Sequence, residues 1–256
     1  MNLKIPQEYL ERGKIAYEKI ESESPAKKNI VNKVNPVVPI TGDLSFVTDK
    51  NFYNEICKYI KKEFPKLNNV LEFNDSVMKQ SNPYLAVAVD MYLKSINSEY
   101  RIATQLDLEQ NLNFTKDTYN DSGLALRNLT GTNKEQAKYI FDQLKKRNVS
   151  ESNFPIWLNL RGLVLDNNLN FNLTEESFYK TAECLNWESG ASFSKINEFG
   201  LPKEKDKSSS RQILTNKDYA LSGCYLSRIS DLNSYDSYLS SSSVDGRVVL
   251  AKPRSG

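Results

Sequence analysis

Between Ser222 and Asp245 the chain is made largely of Ser, Tyr, Asp and Asn, with apolar residues recurring at Leu226, Ile229, Leu232 and Leu239. Tyrosine gives large contact area at low rotamer cost, while Ser, Gly and Asn give adaptable hydrogen bonds, the combination found in antibody-like paratopes. The competing explanation is a disordered serine-rich linker, because a segment of low hydrophobicity cannot offset its ordering entropy. Two features oppose it. The apolar residues read as a frame that pins the segment to a scaffold, and Gly246-Arg247-Val248-Val249-Leu250 follows as a closing β element. The segment is therefore expected to be an ordered surface for contact with another molecule, not catalytic machinery.

The rest of the composition narrows the alternatives. At 256 residues the chain exceeds the usual single domain of roughly 100–150 residues, so one domain with an extension and two domains are both open. A formal charge of +2 gives no long-range field to gather a polyanion, so nucleic-acid binding is not expected. Histidine is absent, which removes Ser-His-Asp and Cys-His activation, His-containing metal sites and the commonest general base. Cys57, Cys184 and Cys224 lie far apart and form no CxxC knuckle, so buried free thiols are expected. The N-terminus lacks a basic segment followed by an apolar run, and no stretch approaches the roughly 20 apolar residues of a membrane span. A cytoplasmic or virion-associated protein without cofactors is the expectation.

Along the chain, Gln7 to Ser22 carries a loosely amphipathic helical pattern, and the prolines between Ser24 and Pro39 make an extended tether. A helix is predicted from Thr48, with Phe52, Tyr53, Ile56, Cys57, Ile60 and Phe64 on one face and Pro65 ending it. Asn82-Pro83 is a cap-and-N1 pair opening a buried helix through Leu93. Tyr100 to Leu108 alternates like a strand. A helix capped by Thr132 or Asn133 should bury Ala137, Ile140, Phe141 and Leu144, and another capped by Thr174 should bury Phe178, Ala182 and Leu185. Phe154 to Leu165 fits either a strand or a short helix, and beyond Trp187 the texture is strand and loop.

The motifs that could carry chemistry are weak. Ser192-Phe193-Ser194-Lys195 has Ser-x-x-Lys spacing but no Lys-Thr-Gly partner. The Asp166 to Asn170 run offers alternating oxygens, yet Phe171 stands where a calcium loop needs glycine and Ser177 where it needs glutamate, so an Asn-rich turn accounts for it. Trp187 is expected to anchor the preceding helix in the core. Cys224 has no histidine to activate it and no lysine near it in sequence.

The pattern Leu221-Ser222-Gly223-Cys224-Tyr225-Leu226, then Leu232 and Leu239, then Asp245-Gly246-Arg247-Val248-Val249, resembles the C-terminal variable region of proteins diversified by diversity-generating retroelements. In that family adenine-directed mutagenesis reaches Ser, Tyr, Asp, Asn, Cys, Gly, Arg, Leu and Ile but not Lys, Glu, Gln, Met or Trp. None of those five occurs between Ser222 and Asp245, where about four Lys and Glu alone are expected from the whole-chain frequency. The resemblance covers the last thirty or so residues closely and implies a C-type lectin-like fold. Carried over by position, it makes Tyr225, Ser227, Arg228, Ser230, Asp231, Asn233, Ser234, Tyr235, Asp236, Ser237, Tyr238, Ser240, Ser241, Ser242 and Ser243 the exposed ligand-binding candidates, within a variable region of about 221–249. Glu-Pro-Asn and Trp-Asn-Asp sugar motifs are missing, so calcium-dependent carbohydrate binding is not implied.

The combined expectation is an α+β chain: a mainly helical region at 1–95 that tethers and mounts a C-type lectin-like domain at 96–256. Its function is recognition of a protein or cell-surface ligand, with Tyr225, Tyr235 and Tyr238 as anchors. One alternative is a structural or virion assembly protein with a fixed serine-rich contact. Another is an enzyme built on acids such as Asp90 or Asp107, which requires a deep pocket and a raised carboxylate pKa.

Overall fold

In the computed structural model, which describes residues 42–235 and 238–253, the apolar periodicities become two helices that pack against each other. Helix α1 (Lys50–Glu63) is capped by Asp49, whose carboxylate accepts from the Phe52 N–H at 2.7 Å, and it buries Ile56 and Ile60. Lys61 and Lys62 sit in its last turn, where the helix dipole favours cations, and Pro65 prevents continuation. Helix α2 (Pro83–Ser95) opens with Asn82 accepting from the Leu85 N–H at 2.9 Å. It is apolar almost all round, from Tyr84 to Val89 and at Tyr92 and Leu93, and so runs through the core rather than over it.

The architecture is α+β, built on a curled sheet. At its centre is β5 (Tyr119–Leu126), antiparallel to both β12 (Leu221–Leu226) and β6 (Ile156–Asn159). Beyond β12 lie β13 (Leu232–Ser234), β11 (Gln212–Thr215) and β10 (Ala191–Ser192), and beyond β6 lies β9 (Tyr179–Thr181), so the order is β10-β11-β13-β12-β5-β6-β9. Gly123 of β5 lies under Trp157: a Cβ there would fall 2.1 Å from the indole Nε1. A second sheet joins β1 (Gly42–Ser45), β15 (Leu250–Pro253) and β4 (Arg101–Ile102). A short hairpin, β2 (Glu72–Asn74) and β3 (Val77–Lys79), turns through Asp75 and Ser76, both at positive φ (52° and 60°), as two-residue hairpin loops require.

The expected division near residue 95 is corrected by these contacts. β1 pairs along its length with β15, α2 packs on β4, β5 and β7 (Leu163–Leu165), and the region from residue 42 to 95 contains strands as well as helices. The described residues all fall within one unit. The helix expected over Gln7 to Ser22 and the tether from Ser24 to Pro39 lie outside the described residues.

Local bonding explains the other departures. Tyr100 to Leu108 is strand only at Arg101–Ile102, because Thr104 and Asp107 form a reciprocal capping box that starts the short helix α3 (Gln105–Glu109), ahead of α4 (Leu112–Thr115). Thr174 follows β8 (Phe171–Leu173), and the helix expected after it is instead a turn and β9, followed by a 3₁₀ turn at Glu183–Asn186. There the Thr174 and Ser177 hydroxyls donate to the Gly162 carbonyl at 2.7 and 2.6 Å, and the Thr174 N–H donates to Ser177 Oγ at 2.7 Å. These side-chain bonds offer the backbone an alternative to helix. Phe178, Ala182 and Leu185 are buried all the same. The segment from Phe154 to Leu165 resolves into β6 and β7.

Helix α5 (Lys134–Lys145) buries Ala137, Ile140, Phe141 and Leu144 as its periodicity demands. Trp187 is half-exposed after the 3₁₀ turn, with the Lys205 ammonium 5.9 Å from its ring centre; the buried tryptophan is Trp157. No helix among the described residues is long and apolar enough to cross a membrane.

Candidate functional site

The Ser222 to Asp245 segment begins as β12, pairs back through a turn with β13, and ends in a loop leading to β14 (Gly246–Arg247), which lies parallel to β5. Strand alternation divides its residues. On one face of the β5–β12 pair Asn120, Ser122, Cys224 and Leu226 are buried, and on the other Tyr119, Asp121, Gly223 and Tyr225 face a cavity. Of the expected frame, Leu226, Leu232 and Leu239 are buried. Ile229 is not: it is 75 % exposed at the tip of the turn from Ser227 to Asp231, a correction to its expected role.

Four expected surface residues are also corrected. Ser227, Asp231, Asn233 and Ser234 are buried, because they build the hairpin rather than decorate it. The Ser227 N–H donates to the Asp231 carbonyl at 2.8 Å, the Asp231 N–H to Ser227 Oγ at 3.1 Å, and the Gln212 N–H to Asp231 Oδ1 at 2.7 Å. Burial pushes the Asp231 carboxyl up, against the opposing pull of the Gln212 N–H and the Arg211 charge. Asn233 lies in β13 between β11 and β12. Ser234 joins a cluster around the buried Arg127, whose guanidinium donates to the Leu185 carbonyl at 3.0 Å, Ser222 Oγ at 2.8 Å, the Ser234 carbonyl at 3.1 Å and Ser234 Oγ. A second buried arrangement, Arg211 to Glu109 at 2.8 Å, also ties the turn down through Arg211 Nε and the Ser230 carbonyl at 2.8 Å. Burial pushes the Glu109 carboxyl up despite that arginine.

The exposed candidates are Arg228, Tyr235, Tyr238, Ser240 and Ser241, with Tyr225, Ser230, Ser242 and Ser243 half-buried; Asp236 and Ser237 lie outside the described residues. The serine run is held against the start of α2. Asn82 Nδ2 donates to the Ser240 carbonyl at 3.1 Å and the Ser81 N–H to Ser242 Oγ at 3.0 Å. Gly246 makes this approach possible, since a Cβ there would sit 2.9 Å from both the Ser243 carbonyl and the Ser81 nitrogen. Arg228 pairs with Asp245 at 3.2 Å, joining the 227–231 turn to the serine loop, with the apolar Ile229 and Val244 (70 % exposed) flanking the pair.

Between the serine loop, α2 and the β5–β12 face lies a cavity of about 230 Å³. Tyr225 and Tyr238 line it with Ser241, Ser242 and Ser243; Tyr119 and Tyr225 meet edge to face at 5.8 Å between ring centres. Tyr235 does not line it. It is 54 % exposed and stands edge to face with Tyr219 at 6.3 Å, so the three expected anchors divide into a pair and a single.

Ser81, Pro83, Tyr119 and Asp121 also line the cavity, beyond the residues the C-terminal pattern points to. A signal for two of them is present in the chain, because Tyr119-Asn120-Asp121-Ser122 repeats the Tyr/Asn/Asp/Ser composition of the C-terminal segment. Ser81 and Pro83 carry no such mark.

The motifs set aside on sequence are structural here. Lys195 pairs with Glu204 at 2.7 Å and Ser194 bonds Asp206, with Ser192 in a strand, so Ser192 and Lys195 do not share a helical turn. Asp166 closes a turn by accepting from the Asn168 and Asn170 N–H groups at 2.8 and 2.9 Å. Asp90 is buried beside Lys94 at 3.2 Å, and Asp107 is bidentate with Arg101 at 2.6 and 3.0 Å. Burial works against the charged form of Asp107, but Arg101 and Thr104 outweigh it and hold its carboxyl below the ordinary value. Neither acid lines the cavity. Cys184 and Cys224 are free and buried, which pushes both thiols up to about 12. Comparison with protein-family models, with curated proteins and with solved structures finds no match to this chain.

Proposed function

We propose that this chain is a ligand-recognition protein whose binding surface is the exposed part of the Ser222 to Asp245 segment together with the β5–β12 face beneath it. The observation that carries the reading is the sorting within the segment. Leu226, Leu232, Leu239 and the hydrogen-bonding Ser227, Asp231 and Ser234 are buried, while Tyr225, Tyr238 and the serine hydroxyls border a cavity. Apolar Ile229 and Val244 beside the Arg228–Asp245 pair favour a protein surface as partner, since aromatic and apolar groups supply the desolvated centre of such contacts.

On the resemblance to variable proteins of diversity-generating retroelements, the body is C-type lectin-like and the exposed positions are diversified. The α+β architecture and the missing Lys, Glu, Gln, Met and Trp support this. The test is sequencing of the gene from a population of close relatives, and of the source genome for a near-repeat of the codons for Ser222 to Val249 that differs mainly at adenines. The reading expects variation at Tyr225, Arg228, Tyr235, Tyr238 and Ser240 to Ser243, with Leu226, Leu232, Leu239 and Gly246 constant. A segment constant throughout, with no such repeat, would refute diversification and leave a fixed assembly contact.

A further inference from the structure

The cavity has a chemical character that the composition of the segment alone does not convey. Among the described residues its lining holds three tyrosines, Tyr119, Tyr225 and Tyr238, serine hydroxyls and one carboxylate, Asp121, and no lysine or arginine. Asp121 and Tyr225 are direct cross-strand partners, so the carboxylate and the aromatic ring stand side by side on one sheet face. Arg228 and Arg247, in the neighbouring segments, do not line it: Arg228 pairs with Asp245 at 3.2 Å, and Arg247 donates to the carbonyls of Val244 and Gly246 at 3.0 and 2.7 Å. Gly223 keeps the floor open, because any side chain there would start 3.2 Å from the Pro83 ring.

We propose that this cavity receives the guanidinium group of an arginine presented by a protein partner, an assignment that rests on the reading of this face as a binding surface. The negative faces of tyrosine rings attract a cation, and a nearby carboxylate adds a charge-assisted hydrogen bond. A carboxylate or phosphate group would meet Asp121 with no compensating cation among the described lining residues. Arginine fits better than lysine because its planar fork stacks on an aromatic ring while pairing with a carboxylate, whereas an ammonium is a compact, strongly hydrated point charge. Serine oxygens at the rim can accept the remaining N–H donors.

The assignment is tested by panning random dodecapeptides displayed on phage against the full chain, then measuring affinities of the selected peptides for the unaltered protein, Asp121→Asn and the Tyr225→Ala/Tyr238→Ala double variant. Asp121→Asn keeps an acceptor for the Ser81 hydroxyl that now bonds the carboxylate. The peptide is also altered, Arg→Gln, which leaves the protein untouched. The expected result is a shared arginine whose replacement, like D121N, weakens binding about tenfold or more, as loss of one partner of a desolvated charge pair does. Selected peptides that depend on the two tyrosines but carry no arginine, or are indifferent to D121N and to Arg→Gln, overturn the arginine assignment and leave the surface standing. If no peptide is selected, or all are indifferent to the loss of both tyrosines, the binding-surface reading falls as well.

Discussion

Asn82 links the core helix to the serine loop, and replacing it separates the two contributions. Its Oδ1 accepts from the buried Leu85 N–H at 2.9 Å, and its Nδ2 donates to the Ser240 carbonyl at 3.1 Å. Asn82→Ala removes both. Loss of an N-cap costs about 1 kcal/mol, within a range of roughly 0.5–2, and loss of the loop bond about 1 kcal/mol more. The total is about 2 kcal/mol, with the upper end favoured because the cap is buried. Asn82→Ser keeps a capping oxygen but is too short to hold Ser240, so it should cost only about 1 kcal/mol. Urea unfolding gives the totals, and amide hydrogen exchange locates them. Amides of Ser241 and Gly246, which close turns in the loop, should exchange faster in both variants, and that of Leu85 only in N82A. Equal stability of the two variants, or loop amides unchanged in either, would refute the idea that one side chain serves helix and loop together.

Other outcomes follow from the buried contacts. Gly123→Ala should destabilise by about 3 kcal/mol, since its methyl group would overlap the Trp157 indole and the Leu158 carbonyl in the central strand; urea unfolding would show it. Asp107 has a folded-state pKa below its ordinary 3.8, so the stability it lends is present above that value and lost as pH falls through the lower, folded one. Arg101→Gln should therefore lower the unfolding midpoint at pH 7, with the gap from the unaltered protein closing in acid. Cys184 and Cys224 have folded-state values of about 12 against an ordinary 9, so the unfolded chain loses these protons first and stability falls as pH rises above 9. Cys184→Ala and Cys224→Ala should each flatten that fall. In titration with a thiol reagent at neutral pH, Cys57, half-buried, should react ahead of the other two.

Where local signals agree with long-range packing, the elements are legible in the chain. The Asn82-Pro83 pair, Pro65 and the 3.6-residue spacing of Ile56 and Ile60 place α1 and α2 directly, and the structure adds Asp49 as the cap of α1. Phe178, Ala182 and Leu185 share that spacing, but the bonds of Thr174 and Ser177 to the Gly162 carbonyl make strand and turn from it, and those depend on a residue more than ten positions away. The site shows the same division. Composition marks Tyr225, Tyr238 and the serines, yet it cannot tell Ser234, held by Arg127, from Ser241 at the surface, because the distinguishing partner is distant in sequence. Ile229 departs for a related reason: its place in the apolar spacing suits a frame, but the five-residue turn closed by Ser227 and Asp231 carries it outward.

The most direct test of the account is a saturation scan of Leu221 to Leu250, displayed on cells, that scores protease resistance and binding of a selected peptide for each substitution. Resistance should be lost at Leu226, Leu232, Ser234, Leu239 and Gly246, while at Tyr225, Tyr238 and Ser241 substitutions should leave resistance intact and abolish binding. If binding fell only where resistance fell, or if Tyr225 and Tyr238 proved necessary for resistance itself, the segment would be part of the scaffold and not a surface for contact.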